Sequence, residues 1–142
     1  MARRYDARSL IDCARALCVK SGMSDECAQD VATVLTEGDL LGHDTHGLML
    51  LKPYLNALDR GDMLGQGTFE ELSSRSAVAN WDGNFLPGPY LTMRAIETAT
   101  SMAKSCGTGN VVIRRSSHIG ALAAYLEEPA KQGFLVLSLI HI

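Results

Sequence analysis

The order of its hydrophobic patterns is the feature of this sequence that most constrains the fold. Apolar residues recur at helical spacing through the N-terminal part of the chain, whereas short β-branched runs alternate with helical patterns further on. Helices followed by alternating strands and helices bury their apolar faces by packing on a sheet. The sequence therefore predicts a mixed α/β fold, in which N-terminal helices precede a strand-helix-strand-helix-strand layer. The pattern leaves the strand directions open.

Three helices are predicted in the N-terminal part. Residues 6–21 form the first, which stops at Gly22, and Ser24 can cap the second. The third covers residues 48–59, where Pro53 removes one internal hydrogen bond and so predicts either a kink or a later start. The residues predicted to face the core are Leu10, Cys13, Ala14, Leu17, Cys18, Ala28, Val31, Ala32, Leu35, Leu48, Leu51, Leu55 and Leu58.

The second part of the chain combines strand signals with two further helical patterns. Ala77, Ala79 and Trp81 fall on one face of an alternating segment, with Val78 and Asn80 on the other. In chain order we predict a strand over residues 69–81, a turn at residues 82–84 and a long helix from Pro89 to Gly107. A buried strand at residues 111–113 follows, then a helix over residues 120–131 that Pro129 interrupts, and finally a strand over residues 134–138.

Length and composition are those of an ordinary globular domain. The chain has 142 residues, which is enough to bury a core, and its 46% apolar and 20% charged residues match the average for such domains. We divide it into an N-terminal helical segment, residues 1–66, and the first part of an α/β core, residues 67–142, which we expect to be truncated.

Charge and cysteine content narrow the class of protein. A net charge of −3 without a clustered basic face argues against a nucleic-acid partner. No apolar stretch approaches the roughly 20 residues of a membrane span, and the N-terminus carries no secretory signal. We therefore expect a cytoplasmic protein with no membrane partner. Reduced and mostly buried thiols are expected for the irregularly spaced Cys13, Cys18, Cys27 and Cys106.

Two histidines are the best candidates for chemistry, because imidazole moves protons near neutral pH. His46 lies in Gly-His-Asp-Thr-His-Gly, where a predicted helix ends, and His118 lies in Ser-Ser-His-Ile-Gly, directly after a predicted strand. Asp44 could accept a hydrogen bond from one nitrogen of His46, and Gly120 would let a ligand approach the backbone beside His118. The residues alone leave another reading open for His46, that of a helix-terminus histidine bonded to nearby backbone.

Other kinds of site fit the sequence less well. His43 and His46 are three residues apart and could share a metal with Asp44, but there is no His-Glu-x-x-His pattern, and we predict no metal site. Residues 107–109 read Gly-Thr-Gly but precede a strand, so they are not a dinucleotide-binding fingerprint. Neither a phosphate-binding loop nor a nucleophile elbow occurs.

Three segments together resemble the type 2 malate/L-lactate dehydrogenase family. Residues 38–47, which read Gly-Asp-Leu-Leu-Gly-His-Asp-Thr-His-Gly and precede Pro53-Tyr54, are similar to the family signature. Residues 111–121 resemble its second histidine loop, and Asp-Gly-Asn at 82–84 matches a third feature. The three occur in the order that the family shows.

The resemblance implies a cytoplasmic oxidoreductase that uses NAD or NADP, is a homodimer when full length, and lacks the Rossmann dinucleotide fold. Its substrates would be small 2-oxo or 2-hydroxy acids such as malate or lactate. His46 matches the position of the proton donor or acceptor, and His118 matches a second histidine that acts as acid or base in some members. We expect Asp44 and Thr45 to support catalysis, and Ser117, Ile119 and Gly120 to contact the cofactor.

The sequence departs from the family pattern at several positions. Leu50 stands where many members have an arginine that clamps the substrate carboxylate, a role that Lys52 or Arg94 could take over. Family chains are longer, so we expect residues 1–142 alone to show little activity. Residues 139–142 do not continue the family pattern, and His141 is given no role. A non-catalytic α/β interaction module and a His/Asp metal hydrolase are the alternative hypotheses.

Overall fold

The computed structural model describes residues 4–138 and has the mixed α/β architecture that the sequence predicts. Single turns of 3₁₀ helix separate some of the longer elements, at Asp44–His46, Leu48–Leu50 and Leu122–Tyr125. The helices and strands are α1 (Ala7–Lys20), α2 (Asp25–Leu40), α3 (Leu51–Arg60), β1 (Glu70–Arg75), β2 (Val78–Asp82), α4 (Gly88–Cys106), β3 (Asn110–Arg114) and α5 (Glu127–Lys131).

The first two helices start where the sequence predicts them, and each has a side-chain cap. The Asp6 carboxylate accepts a hydrogen bond from the Ser9 amide (2.8 Å) at the start of α1, and Ser24 caps α2 in the same way. Helix α3 starts at Leu51 and not at residue 48, so the later start that Pro53 allowed is the outcome that the structure shows. That proline lies in the first turn of α3, where backbone N–H groups have no helical partner, so the helix is not broken.

The predicted strand over residues 69–81 is wrong, because the chain folds back within it. Ser76 and Ala77 form a two-residue turn between β1 and β2, which pair antiparallel, and β2 then pairs parallel with β3. The sheet order is β1-β2-β3. Two-residue hairpin turns usually contain glycine or asparagine. Ser-Ala carries no such signal, so the pattern was read as one strand.

The face that β2 turns toward α4 carries the second core. Ala79 and Trp81, which were predicted to share a face, are both buried, and Trp81 stacks on Phe69 with 4.4 Å between ring centroids. The strand predicted at residues 111–113 is present as β3, but the prediction that it is buried is wrong for the described part of the chain. There β3 is an edge strand, and Val112 is 59% exposed.

Two predictions near the C-terminal end are also wrong. The helix over residues 120–131 is split into the 3₁₀ turn and α5, and Pro129 fits because it lies in the first turn of α5. Residues 134–138 form no strand, and Leu135 is 99% exposed. An alternating apolar run becomes a strand only beside a partner strand, and residues 4–138 place none there.

The larger core lies among the N-terminal helices and the segment after α3. Cys18 and Cys27 belong to it, and burial raises the pKa of the Cys18 thiol to about 11. Cys13 and Cys106 are exposed, so the expectation of mostly buried thiols holds for only two of the four cysteines. The buried members of this core are Cys18, Met23, Cys27, Ala28, Val31, Leu35, Tyr54 and Met63.

A buried carboxylate ties the ends of β2 and β3 to the loops that follow them. Asp82 is fully buried and accepts hydrogen bonds from the side chains of Arg114 (2.8 Å) and Arg115 (2.7 Å) and from the Asn84 amide (3.0 Å). The Arg115 hydrogen bond is the main reason that the pKa of Asp82 falls to about 2. The loop that carries His118 therefore starts from a fixed point.

Arg94 of α4 joins α2 to α4. Its guanidinium lies 3.2 Å from Asp30 and 3.3 Å from Glu26, with Glu97 a further carboxylate within reach. Burial outweighs the attraction of Arg94 and raises the pKa of Asp30 to about 6.

No helix among residues 4–138 combines the length and the apolar character that crossing a bilayer needs.

The charge on Asp30 should make the stability of the chain depend on pH. Its folded-state pKa of about 6 lies above the ordinary value of 3.8, so the proton bound in the folded state is lost as pH rises. We expect the free energy of unfolding to fall by about 3 kcal/mol between about pH 4 and pH 7 from this group alone. Asp30→Asn should flatten that part of the profile in urea unfolding, whereas Asp59→Asn, at an exposed position, should not. Identical profiles for wild type and Asp30→Asn would contradict the assignment.

Candidate active site

The loop that carries His46 is pressed against the C-terminal end of α2. A Cβ atom on Gly38 would lie 3.0 Å from the His46 carbonyl oxygen, and one on Gly47 would overlap the Asp39 carboxylate. That carboxylate also accepts a hydrogen bond from the Leu48 amide (3.2 Å). Two glycines and one aspartate thus hold the backbone on either side of His46.

The side-chain partner of His46 is Thr45. Its hydroxyl lies 3.0 Å from Nδ1 of the exposed His46 ring. The prediction that Asp44 would bond to this ring is wrong for the described structure. Asp44 and His46 are two residues apart in a tight 3₁₀ turn, and side chains at that spacing do not face each other.

The loop after β3 that carries His118 is held by hydrogen bonds from distant elements. The Tyr54 hydroxyl of α3 donates to the His118 carbonyl oxygen (2.6 Å), and the Tyr125 hydroxyl donates to the carbonyl oxygen of Ile119. Ser117 Oγ accepts a hydrogen bond from the Gly88 amide (2.8 Å) at the start of α4. Both tyrosines are buried, so this loop is anchored to the interior on two sides.

The ring of His118 accepts a hydrogen bond from its own loop. The Gly120 amide donates to Nδ1 at 3.0 Å, which leaves Nε2 as the nitrogen available to another partner. Partial burial of the ring, and secondarily the neighbouring His46, lower the pKa of His118 below that of free imidazole. The environment therefore favours the neutral ring.

The fold brings the two histidines together from positions far apart in sequence. Their ring centroids are 5.6 Å apart and their planes are tilted by 31°. Both rings line one open cavity of about 410 Å³, whose walls are formed by His43, His46, His118, Ile119, Gly120, Ala121, Leu122 and Ala123.

A smaller and mainly apolar cavity adjoins the other side of His118. Its volume is about 220 Å³, and Leu50 is part of its wall. Arg94 is paired with the acidic groups of α2, and neither Arg94 nor Lys52 lines either cavity. The lining residues are Leu50, Pro53, Tyr54, Ala57, Met63, Ser117 and His118.

The structure therefore groups only some of the residues singled out from sequence. Ile119 and Gly120 share the larger cavity with both histidines, whereas Ser117 lines the smaller cavity and its hydroxyl accepts a hydrogen bond from Gly88. Sequence reasoning missed the support that Tyr54 and Tyr125 give to the loop. For Tyr54, its place in the family-like Pro-Tyr pair was the available signal; nothing in the local pattern marked Tyr125.

No three His, Cys, Asp or Glu side chains converge as a metal-binding group within residues 4–138. Two imidazole rings in one open cavity, carried on loops of an α/β fold, instead define a candidate proton-transfer site of the kind that enzymes use.

Comparison with known families places this site in a particular group of proteins. The sequence model described as malate/L-lactate dehydrogenase matches residues 5–141. The chain belongs to the malate/L-lactate dehydrogenase family, and the resemblance drawn from its histidine loops is confirmed.

Relatives in the family are much longer than this chain. It is 31% identical to the L-lactate dehydrogenase of Cupriavidus necator, over 82% of this chain and 34% of that protein. It is 28% identical to the malate/(S)-sulfolactate dehydrogenase of Methanothermus fervidus, over 84% of this chain and 35% of that protein. The malate dehydrogenase structure from Pyrococcus horikoshii superposes with a TM-score of 0.88 at 27% identity, covering 92% of this chain and 38% of that one. The chain thus spans about a third of the length of the curated relatives that it matches.

The position of the His118 loop should depend on the absence of a side chain at Gly88. A Cβ atom there would overlap the carbonyl oxygens of Ser117 and His118. We expect Gly88→Ala to lower the free energy of unfolding by about 1–3 kcal/mol, because the loop has to move. The backbone amide resonances of the loop should shift as well.

Gly107→Ala is the matched control for that variant. Gly107 ends α4 with a φ of +80°, and a Cβ atom there meets nothing within 4 Å. Gly107→Ala should lower the free energy of unfolding by about 1 kcal/mol, because alanine is strained in the left-handed backbone conformation. It should leave the resonances of the His118 loop unchanged. Equal effects of the two variants on the loop would show that Gly88 does not set its position.

Proposed function

We propose that this chain forms the histidine-bearing wall of an oxidoreductase that interconverts small 2-oxo and 2-hydroxy acids with NAD or NADP. The observation that carries the proposal is the pair of imidazoles, His46 and His118, on one open cavity in a member of this family. The named relatives support it, since they are dehydrogenases of lactate, malate and sulfolactate.

His46 is the proposed proton donor and acceptor. When a carbonyl at C2 is reduced, its oxygen needs a proton, and an imidazolium within hydrogen-bond reach supplies it. Proton loss from Nε2 leaves the hydrogen on Nδ1, where the Thr45 hydroxyl lies 3.0 Å away and can accept it before and after the transfer. The ring need not turn during the reaction, and this is the supporting role that we propose for Thr45.

The nicotinamide, when bound, supplies or takes up the hydride at C2. Ile119 and Gly120 line the larger cavity beside Ala121 and Ala123, and we propose that these two residues contact the cofactor. Ser117 stays a prediction as a cofactor contact: its hydroxyl accepts the Gly88 amide and keeps its own hydrogen free to donate. Neither NAD nor NADP is favoured by the described residues. A Rossmann dinucleotide fold is not part of the proposal, because the sequence lacks its fingerprint.

The substrate's carboxylate needs a cationic partner, and neither cavity wall within residues 4–138 includes a lysine or an arginine. With Leu50 in place of the family arginine, we propose that the cation comes from a part of the protein outside those residues.

We also propose that the full-length protein is a cytoplasmic homodimer. This chain would then consist of a helical segment, residues 1–66, and the first part of the α/β core, residues 67–142. Residues 1–142 alone should oxidise NAD(P)H only negligibly with 2-oxo acids.

The test is turnover by the full-length polypeptide that the gene encodes, followed as NAD(P)H oxidation with pyruvate and oxaloacetate. His46→Asn should lower kcat by about 10²- to 10⁴-fold, because the proton donor is removed. Its thermal unfolding should match that of the wild type, since the ring is exposed.

His43→Asn is the matched control, because it makes the same substitution on the same cavity wall at a residue without a proposed role. It should change kcat by less than about threefold, which corresponds to less than about 1 kcal/mol. Wild-type turnover in His46→Asn, or an equal loss in His43→Asn, would refute the role proposed for His46.

A further inference from the structure

The backbone amide of Gly120 decides which nitrogen of His118 can carry a proton. It donates a hydrogen bond to Nδ1 at 3.0 Å. A backbone N–H is always a donor, so Nδ1 has to present its lone pair. The neutral ring in this arrangement therefore carries its hydrogen on Nε2.

The direction of this amide is fixed by its surroundings. Gly120 has a φ of +69°, which favours glycine, and a Cβ atom there would lie 3.0 Å from a methyl group of Val34. The carbonyl groups of the two preceding residues accept hydrogen bonds from the buried hydroxyls of Tyr54 and Tyr125. The peptide cannot rotate away from His118 without breaking these contacts.

Tyr54 does not compete with Gly120 as the donor to Nδ1. Its oxygen lies 3.3 Å from Nδ1, but its single hydrogen is directed to the His118 carbonyl at 2.6 Å. Protonating Nδ1 would set an N–H against the N–H of Gly120. The other titratable groups facing this ring are His46, at 5.6 Å between centroids, and His43 on the same cavity wall. Within residues 4–138 no carboxylate forms a hydrogen bond with the ring that would stabilise an imidazolium.

We infer that His118 remains neutral during turnover and acts as a fixed Nε2–H donor to the substrate oxygen, held in that tautomer by the positioning residues Gly120 and Tyr54. The inference rests on the proposed function. In the reduction, hydride adds to C2, the carbonyl π electrons move to oxygen, and the oxygen takes its proton from His46. The hydrogen on Nε2 of His118 stays on its nitrogen throughout, so this histidine is not the acid or base that the family resemblance suggested as one possibility.

The tautomer can be read directly from ¹⁵N-histidine-labelled protein of residues 1–142. Multiple-bond ¹H–¹⁵N spectra distinguish a nitrogen with a hydrogen from one with a lone pair, and His118→Gln assigns the signals by their loss. We expect His118 to show a bare Nδ1 and a protonated Nε2 from about pH 7 to about pH 8, and to form an imidazolium only at a pH below the ordinary histidine pKa of about 6.5. A hydrogen on Nδ1, or a ring half converted to imidazolium near pH 6.5, would overturn the inference.

Tyr54→Phe tests the positioning role, because it removes one hydroxyl and keeps the ring that fills the core. We expect His118 in this variant to show a mixture of tautomers or to begin titrating within the same pH range. Tyr90→Phe, on α4 and also packed against the core, is the control and should give the wild-type spectrum. An unchanged His118 spectrum in Tyr54→Phe would overturn the assignment of Tyr54 as a positioning residue.

Turnover of the full-length protein separates a hydrogen-bond donor from a titrating acid. Glutamine keeps an N–H donor but cannot exchange a proton near neutral pH. His118→Gln should stay within about tenfold of wild-type kcat, whereas His118→Leu should lose about 10²- to 10³-fold, the usual effect of removing a donor to a developing oxyanion. Equal losses in both variants would overturn the donor role.

The two proposals can fail separately. If His46→Asn keeps full turnover, the proposed function fails whatever the His118 tautomer is. If His46→Asn is inactive while His118 forms an imidazolium near neutral pH, the proposed function stands and the division of roles between the two histidines is wrong.

Discussion

The hydrogen bond from the Tyr54 hydroxyl to the His118 carbonyl joins the two parts of this fold. Tyr54 belongs to the core of the N-terminal helices, whereas His118 follows β3 of the sheet, 64 residues further along the chain. Because the hydroxyl is buried, breaking this bond would leave a polar group without a partner, which costs about 1–3 kcal/mol. The bond therefore fixes the loop of His118 relative to the helical end that carries His46. It thereby contributes to the 5.6 Å separation of the two imidazole rings, together with the hydrogen bonds that Tyr125 and Gly88 make to the same loop.

Charge pairing supports the same loop from the side of the sheet. Asp82 holds Arg114 and Arg115 together at the end of β3, so that the chain leaves the strand from a rigid point. The tyrosines then determine how the loop continues. Under the proposed mechanism this rigidity has a chemical purpose, because a donor that is already oriented does not have to reorganise when charge develops on the substrate oxygen.

Local sequence signals were enough for the parts of the fold that depend on neighbouring residues. The helical spacing of apolar residues predicted α1 and α2, Ser24 marked the start of α2, and two histidines in small-residue loops pointed to the site. Contacts between distant residues could not be read in this way. The turn at residues 76–77 has no glycine to mark it, and the hydrogen bond from Tyr125 back to Ile119 joins residues that no local pattern connects. Hydrophobic periodicity describes one element at a time, and the bond between Tyr54 and His118 links two.

A crystal structure of the full-length protein with oxamate, a carboxylate that mimics a 2-oxo acid, tests the central claim most directly. The account predicts that the amide oxygen of oxamate, which stands in for the C2 carbonyl, lies in the larger cavity within hydrogen-bond distance of Nε2 of both His46 and His118. It also predicts that the Gly120 amide still donates to Nδ1 of His118. Oxamate bound away from both rings, or in contact with Nδ1 of His118, would contradict it.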